Sequence, residues 1–147
     1  MTNNENSTLG YAGDLSPTEA WQRLVSDPRA VLIDVRTPEE WTYVGVVNFE
    51  SLDRDAYFVP WAFFPQMTPN SDFLDQVKEH ACPSADTPML FLCRSGVRSV
   101  HAARAFSADG FTACFNILSG FEGDPDEHGH RGQISGWKVD GLPWRQK

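Results

Sequence analysis

Cys93 ends a short apolar run, Pro88-Met89-Leu90-Phe91-Leu92, and is followed by Arg94-Ser95-Gly96-Val97-Arg98-Ser99. The run reads as a strand, and the residues from Ser99 onward as a helix. Cys93 to Arg98 form the tight loop between them. A cysteine at such a junction is placed to be a nucleophile. Ser95 and Gly96 let the backbone curl so that successive N–H groups point inward, toward an anion. The helix N-terminus adds the positive end of its dipole, and Arg94 and Arg98 add guanidinium charge. All three favour a thiolate over a thiol, and would equally stabilise a negatively charged sulfur attached to it. A buried strand-end cysteine with incidental neighbours would not need this surrounding string of residues.

The remaining candidates are weaker. Cys114 lies in an apolar run, Phe111 to Leu118, and reads as a small buried hydrophobe. Cys82 precedes Pro83 in a loop. Three cysteines without paired spacing and without C-x-x-C fit neither a disulfide scaffold nor a zinc or thioredoxin motif. His128 and His130, near Asp124, Asp126 and Glu127, resemble a metal site superficially, but no second ligand pair accompanies them. His101 falls early in the helix after the loop, where it either lines a pocket or faces solvent. Tyr57, Phe58, Trp61, Phe63 and Phe64 read as satellite core, with partner docking as the alternative.

Several elements are needed to hold Cys93 in place. Ser16-Pro17-Thr18-Glu19 is a helix start with a capping box, and Asp27-Pro28 ends that helix. Ala30 to Val35 is a nearly all-apolar run, as in a strand covered on both faces. Thr37-Pro38-Glu39-Glu40-Trp41 repeats the capping pattern and opens a helix of about two turns. Val44 to Phe49 has strand character, and Phe58 to Pro65 reads as an aromatic, proline-punctuated loop. Asn70 or Ser71 caps a helix reaching about Ala81. Met89 to Leu92 is a strand, Ser99 to Asp109 a helix, and Ala113 to Leu118 another strand. Gly120 to Ser135 reads as a surface loop, followed by a short helix through Trp137 and Lys138. Apolar strands alternating with helices predict a three-layer α/β/α domain with a mainly parallel sheet of about five strands. Ligands in such sheets bind at the carboxyl ends of the strands. Cys93 falls at one such end, and Asp34 to Arg36 at another.

Length and composition set the outer bounds. The chain has 147 residues, 41% apolar and 22% charged, with five tryptophans and ten phenylalanines. That predicts one compact domain over residues 14–147, after a disordered or extended lead-in over residues 1–13. A formal charge of -8 disfavours nucleic-acid or anionic-membrane binding over the surface as a whole, and sets a local pair of arginines apart. No apolar stretch approaches the roughly 18 residues of a membrane span. Met1 to Ser7 lacks the basic start and apolar stretch of a signal peptide, so the expected location is cytoplasmic.

Three segments in order resemble the single-domain rhodaneses, a family of thiosulfate or persulfide sulfurtransferases. Leu32-Ile33-Asp34-Val35-Arg36-Thr37-Pro38-Glu39-Glu40-Trp41 is similar to the family's D-V-R-x-x-x-E-[FWY] signature. Cys93 to Ser99 is similar to its C-R-S-G-x-R-S active loop. Gly136-Trp137 to Gly141-Leu142-Pro143 is similar to its closing G-W-x-x-x-G-L-P. The resemblance implies a rhodanese-like fold and a Cys93 persulfide. Sulfane sulfur would pass from thiosulfate or a persulfide donor to cyanide, a thiol or a protein cysteine. Arg94, Ser95, Gly96, Val97, Arg98 and Ser99 would hold that persulfide, with Arg94 and Arg98 attracting the anionic donor. Asp34 and Arg36 become structural supports near the site, and no metal or organic cofactor is required. The segments Val47 to Asn70 and Gly123 to Ser135 are longer than the minimal family pattern. Two rivals stand beside this reading. One is a sulfur-carrier or redox-sensing module whose main work is protein docking. The other is a cysteine phosphatase or arsenate reductase of similar fold. Those enzymes place five residues between cysteine and arginine, whereas four separate Cys93 from Arg98 here.

Overall fold

The computed structural model describes residues 9–146. Its central strands are β1 (Gly13–Leu15), β2 (Val31–Asp34), β4 (Tyr57–Phe58), β7 (Met89–Leu92) and β8 (Cys114–Ile117). They form one five-stranded sheet in the order β1-β8-β7-β2-β4, and every pairing is parallel. Helices α1 (Pro17–Ser26), α2 (Pro38–Tyr43), α3 (Phe73–Ala81) and α4 (Arg98–Ala108) connect and flank it. Two short antiparallel pairs complete the fold, β3 (Val46–Val47) with β9 (Trp144–Arg145), and β5 (Ala62–Phe63) with β6 (Thr68–Pro69).

The all-apolar strands sit where such strands must, buried on both faces. Successive side chains of β7 alternate between two cores. Met89, Phe91 and Cys93 join Phe73, Val77, Ala102, Ala103 and Phe106, so they face α3 and α4. Leu90 and Leu92 join Ala20, Leu24, Ile117, Phe121 and Trp137, on the side of α1 and the C-terminal tail. The strand's period of two therefore decides that the Cys93 sulfur faces α4. Both expected capping boxes form. Ser16 accepts from Glu19 N at 3.1 Å and its own N–H donates to Glu19 Oε1 at 2.8 Å. Thr37 and Glu40 make the same exchange at the start of α2.

Several expectations change. The lead-in ends earlier than residue 13, because Tyr11 is buried in the core and Gly13 already pairs with Phe115 of β8. Residues 1–8 of that expectation lie outside the described residues. The Val44 to Phe49 strand shrinks to β3, and Tyr57–Phe58, the second of which was expected in a loop, forms the sheet's edge beside β2. Helix α3 starts after Asp72 and not at Asn70 or Ser71; Asn70 lies before it, its Oδ1 accepting from Asp72 N at 3.1 Å while its Nδ2 donates to Pro60 O and Gln76 Oε1. The segment through Trp137 and Lys138 is a set of turns and not a helix. The left-handed Gly136 and Gly141 close it off at both ends, and Trp137 Nε1 donates to Pro143 O at 2.7 Å. Gly120 to Ser135 is only partly a surface loop. Gly120, Phe121 and Gly123 are buried, while Asp124 and residues 127 to 130 are exposed.

Candidate active site

The end of β7 delivers Cys93 to the carboxyl edge of the sheet, 1% exposed, with the first turn of α4 beside it. Gly96 N donates to the sulfur at 3.0 Å. Among the described residues it is the main-chain amide that bonds Sγ, so the expected ring of donors reduces to one at this atom. Ser99, fully buried at the start of α4, lies with its hydroxyl 3.2 Å from the same sulfur. Val97 and Arg94 are exposed at the rim, with Ser95 and Gly96 half-buried between them.

The loop keeps its shape because it rests on the turn after β8. Cys93 O accepts from Phe121 N at 2.8 Å, and Arg94 O from Glu122 N and Gly123 N at 2.9 and 3.1 Å. Gly120 runs so close beneath that a Cβ there would stand 2.4 Å from Cys93 O, and its φ is +60°. Gly96, at φ +97°, turns the loop back over Ser119 N. Both are positions that an L side chain would strain.

The two loop arginines part company. Arg98 was expected to attract an anionic donor, but its guanidinium is clamped by Glu40, Nη1 to Oε1 at 2.7 Å and Nη2 to Oε2 at 2.9 Å. A bidentate carboxylate neutralises it and takes two of its five N–H donors, so Arg98 braces the loop against α2. Burial alone would raise the Glu40 carboxyl. The Arg98 guanidinium and the Thr37 amide outweigh burial and hold it below its ordinary range. Arg94 is left as the exposed loop cation.

Asp34 and Arg36 are both fully buried and paired with each other, Arg36 Nη2 to Asp34 Oδ2 at 2.7 Å. Arg36 Nη2 also donates to Gly45 O at 2.8 Å, and the guanidinium lies 4.3 Å from the centre of the Phe121 ring. That places the pair on the tail side of the sheet, across from the Cys93 sulfur. His101 is exposed on α4 and lies parallel to the Trp61 ring, 6.4 Å away. His128 and His130 are exposed, and their main-chain amides both donate to Asp126 Oδ1 in a closed turn. Cys114 is buried, which pushes its thiol up to about 11. Cys82 is exposed at the end of α3.

Four residues that touch the Cys93 loop or link to it through hydrogen bonds were not singled out from the sequence: Glu40 for its arginine, Gly120, Asn116 and Asp14. Glu40 did carry a signal as the third residue of a capping box. Asn116, a lone amide in an otherwise apolar strand, was the other available clue. Its oxygen accepts from the Ser99 hydroxyl, and its amide nitrogen donates to Asp14 Oδ1 at 3.1 Å.

Comparison with known proteins follows the same outline. Residues 16–124 match the rhodanese-like domain family. The chain is 47% identical to Rv0390 from M. tuberculosis, whose crystal structure superposes with a TM-score of 0.86 over 93% of this chain and 99% of that one. It is 35% identical to an uncharacterised protein of Rickettsia conorii, over 90% of this chain and 96% of the relative. It is 32% identical to the chloroplastic thiosulfate sulfurtransferase 16 of Arabidopsis thaliana, over 76% of each chain.

Proposed function

Because this chain belongs to the rhodanese-like domain family, we propose that it moves sulfane sulfur through a Cys93 persulfide. The observation that carries the reading is the Cys93 sulfur at the carboxyl edge of the sheet, receiving Gly96 N–H inside a loop of five residues. The likeness to a thiosulfate sulfurtransferase supports it. In the first step the Cys93 thiolate attacks the outer sulfur of thiosulfate. A new S–S bond forms as the bond between the two thiosulfate sulfurs breaks, and sulfite leaves with that electron pair. In the second, the lone pair of an acceptor attacks the outer sulfur of the persulfide, and the Cys93 thiolate leaves. Cyanide would give thiocyanate, and a thiolate acceptor a new persulfide.

Each part of the loop has its task in this reading. Arg94 draws the anionic donor to the rim of an otherwise acidic molecule. Ser95, Gly96 and Val97 shape the loop, and the Gly96 N–H, the main-chain donor at the sulfur, stabilises its negative charge. Arg98 holds the bowl closed through Glu40 and does not meet the donor itself. Asp34 and Arg36 fix the neighbouring strand end and the tail. A single domain whose start takes in Tyr11 and Gly13, working in the cytoplasm, suits its three free cysteines, Cys82, Cys93 and Cys114. Among the described residues no helix is long and apolar enough to cross a membrane.

The experiment is intact-protein mass spectrometry after incubation with thiosulfate. The expected result is the gain of one sulfur atom, lost on adding cyanide and absent in Cys93→Ser. No gain from thiosulfate or from a persulfide donor would reject the reading. Hydrolysis of a phosphate ester dependent on Cys93 would replace it with the phosphatase alternative.

A further inference from the structure

A line of side chains runs from the sheet's edge to the sulfur, and its hydrogen bonds allow only one direction. Asp14 and Asn116 are register partners on β1 and β8. Asp14 Oδ1 accepts from Asn116 Nδ2 at 3.1 Å and from the Tyr11 hydroxyl at 2.8 Å. A carboxylate has only acceptors to offer, so the Asn116 amide must turn its NH2 toward Asp14 and its oxygen toward Ser99. The Ser99 hydroxyl owns a single proton, and Asn116 Oδ1 takes it. Ser99 can then show the Cys93 sulfur only a lone pair across the 3.2 Å between them.

We infer that Asn116 and Asp14 are positioning residues that hold Cys93 as a resting thiol by fixing the direction of the Ser99 hydroxyl. A thiol S–H donates to the Ser99 oxygen and satisfies the whole chain. A thiolate would need the Ser99 proton for itself, which leaves the buried Asn116 oxygen without a donor. Ser99 and Asn116 are 0% and 1% exposed, so water does not readily replace that bond. The bound donor therefore meets a sulfur whose ionisation is coupled to a turn of Ser99. The idle sulfur is shielded from oxidants and other electrophiles, which react with thiolates.

The charged groups around the line do not reverse its direction. At the sulfur end Arg98 faces Cys93, but Glu40 of α2 clamps it, and Asp34 of β2 adds negative charge near it; Arg94 of the loop is exposed at the rim, where solvent screens its charge. Arg36 of β2 is spent on Asp34. At the other end the guanidinium of Arg104, on α4, lies 5.8 Å from the Tyr11 ring centre. Burial, then the hydrogen bond to Asp14, push the Tyr11 hydroxyl up to about 12, so it remains a donor to Asp14.

This inference gives the regulation of the site proposed above and rests on that site being the reactive one. Its test reads the sulfur directly and needs no turnover. The rate of Cys93 alkylation by iodoacetamide is followed against pH in the full chain with Cys82→Ser, using peptide mass spectrometry to select the Cys93 adduct. Asn116→Ala releases the Ser99 proton to the sulfur, and the midpoint is expected to fall by about one pH unit, roughly ten-fold in thiolate fraction below it. Asp14→Asn, at an exposed position that keeps its shape, lets the Asn116 amide turn over and is expected to shift the midpoint the same way. It carries the test alone if Asn116→Ala fails to fold. Adding Ser99→Ala should abolish the Asn116→Ala shift and most of the Asp14→Asn shift. Packing damage alone would change the plateau rate and survive loss of the hydroxyl. A midpoint that stays or rises in both variants overturns the inference, as does one that falls equally without Ser99. Failure of the sulfur-transfer reading shows separately, as absence of sulfur gain from thiosulfate in the unaltered protein.

Discussion

Cys93, Arg98 and Glu40 behave as a unit, although 58 positions separate the last two. Removing the carboxylate charge leaves a guanidinium largely out of water with half its partners gone. Glu40→Gln is expected to cost about 1–2 kcal/mol, partial exposure screening the pair, as read from a denaturant midpoint. It should also slow sulfur loading of Cys93 about ten-fold or more, because the loop loses its brace. The Glu40 carboxyl sits below its ordinary 4.5 in the fold. Its contribution is therefore complete above about that pH and is lost as pH falls through the depressed value. The stability gap between the protein and Glu40→Gln should be constant from neutral pH down to about 5, then close at lower pH.

Elements set what residues can do. The strand period turns Cys93 to the α4 side and puts the Asp34–Arg36 pair on the other, so neighbours in a sequence signature work on opposite faces. The turn after β8 is the floor of the Cys93 loop, and Gly120 is where it lies against Cys93 O and Arg94. Gly120→Ala adds a methyl against Cys93 O and Arg94 C while forcing an L residue to a left-handed φ. We expect a loss of about 2 kcal/mol or more in thermal or denaturant unfolding. Sulfur loading should fall with it, because the loop must lift to make room. An unaltered loading rate in a folded Gly120→Ala protein would show that the loop does not depend on this floor.

For the molecule as a whole, the tail closes the second core. Trp137 is fully buried between α1 and the sheet, edge-on to Trp21 at 5.8 Å, and its main-chain N–H donates to Gly120 O at 2.8 Å. The closing segment thus reaches back to the floor of the site. Trp137→Ala is expected to cost about 3–5 kcal/mol, a large part of what a domain of this size has to spare. Differential scanning calorimetry would record it as a marked fall in the unfolding midpoint.

Much of this was legible locally. Both capping boxes, the buried strands and the strand–loop–helix string at Cys93 follow from residues within a few positions of one another, where geometry depends on short-range sterics and hydrogen bonds. Nothing local told that Glu40 would neutralise Arg98, that Gly120 would lie under Cys93, or that Trp137 would be buried in turns instead of a helix. Nor could the chain alone pair Asp14 with Asn116, 102 positions away. The sequence by itself singled out the atom proposed to react and the element on which it rides. Only the tertiary structure decided that atom's company, because strand order and register bring together groups whose separation along the chain carries no information about their distance in space.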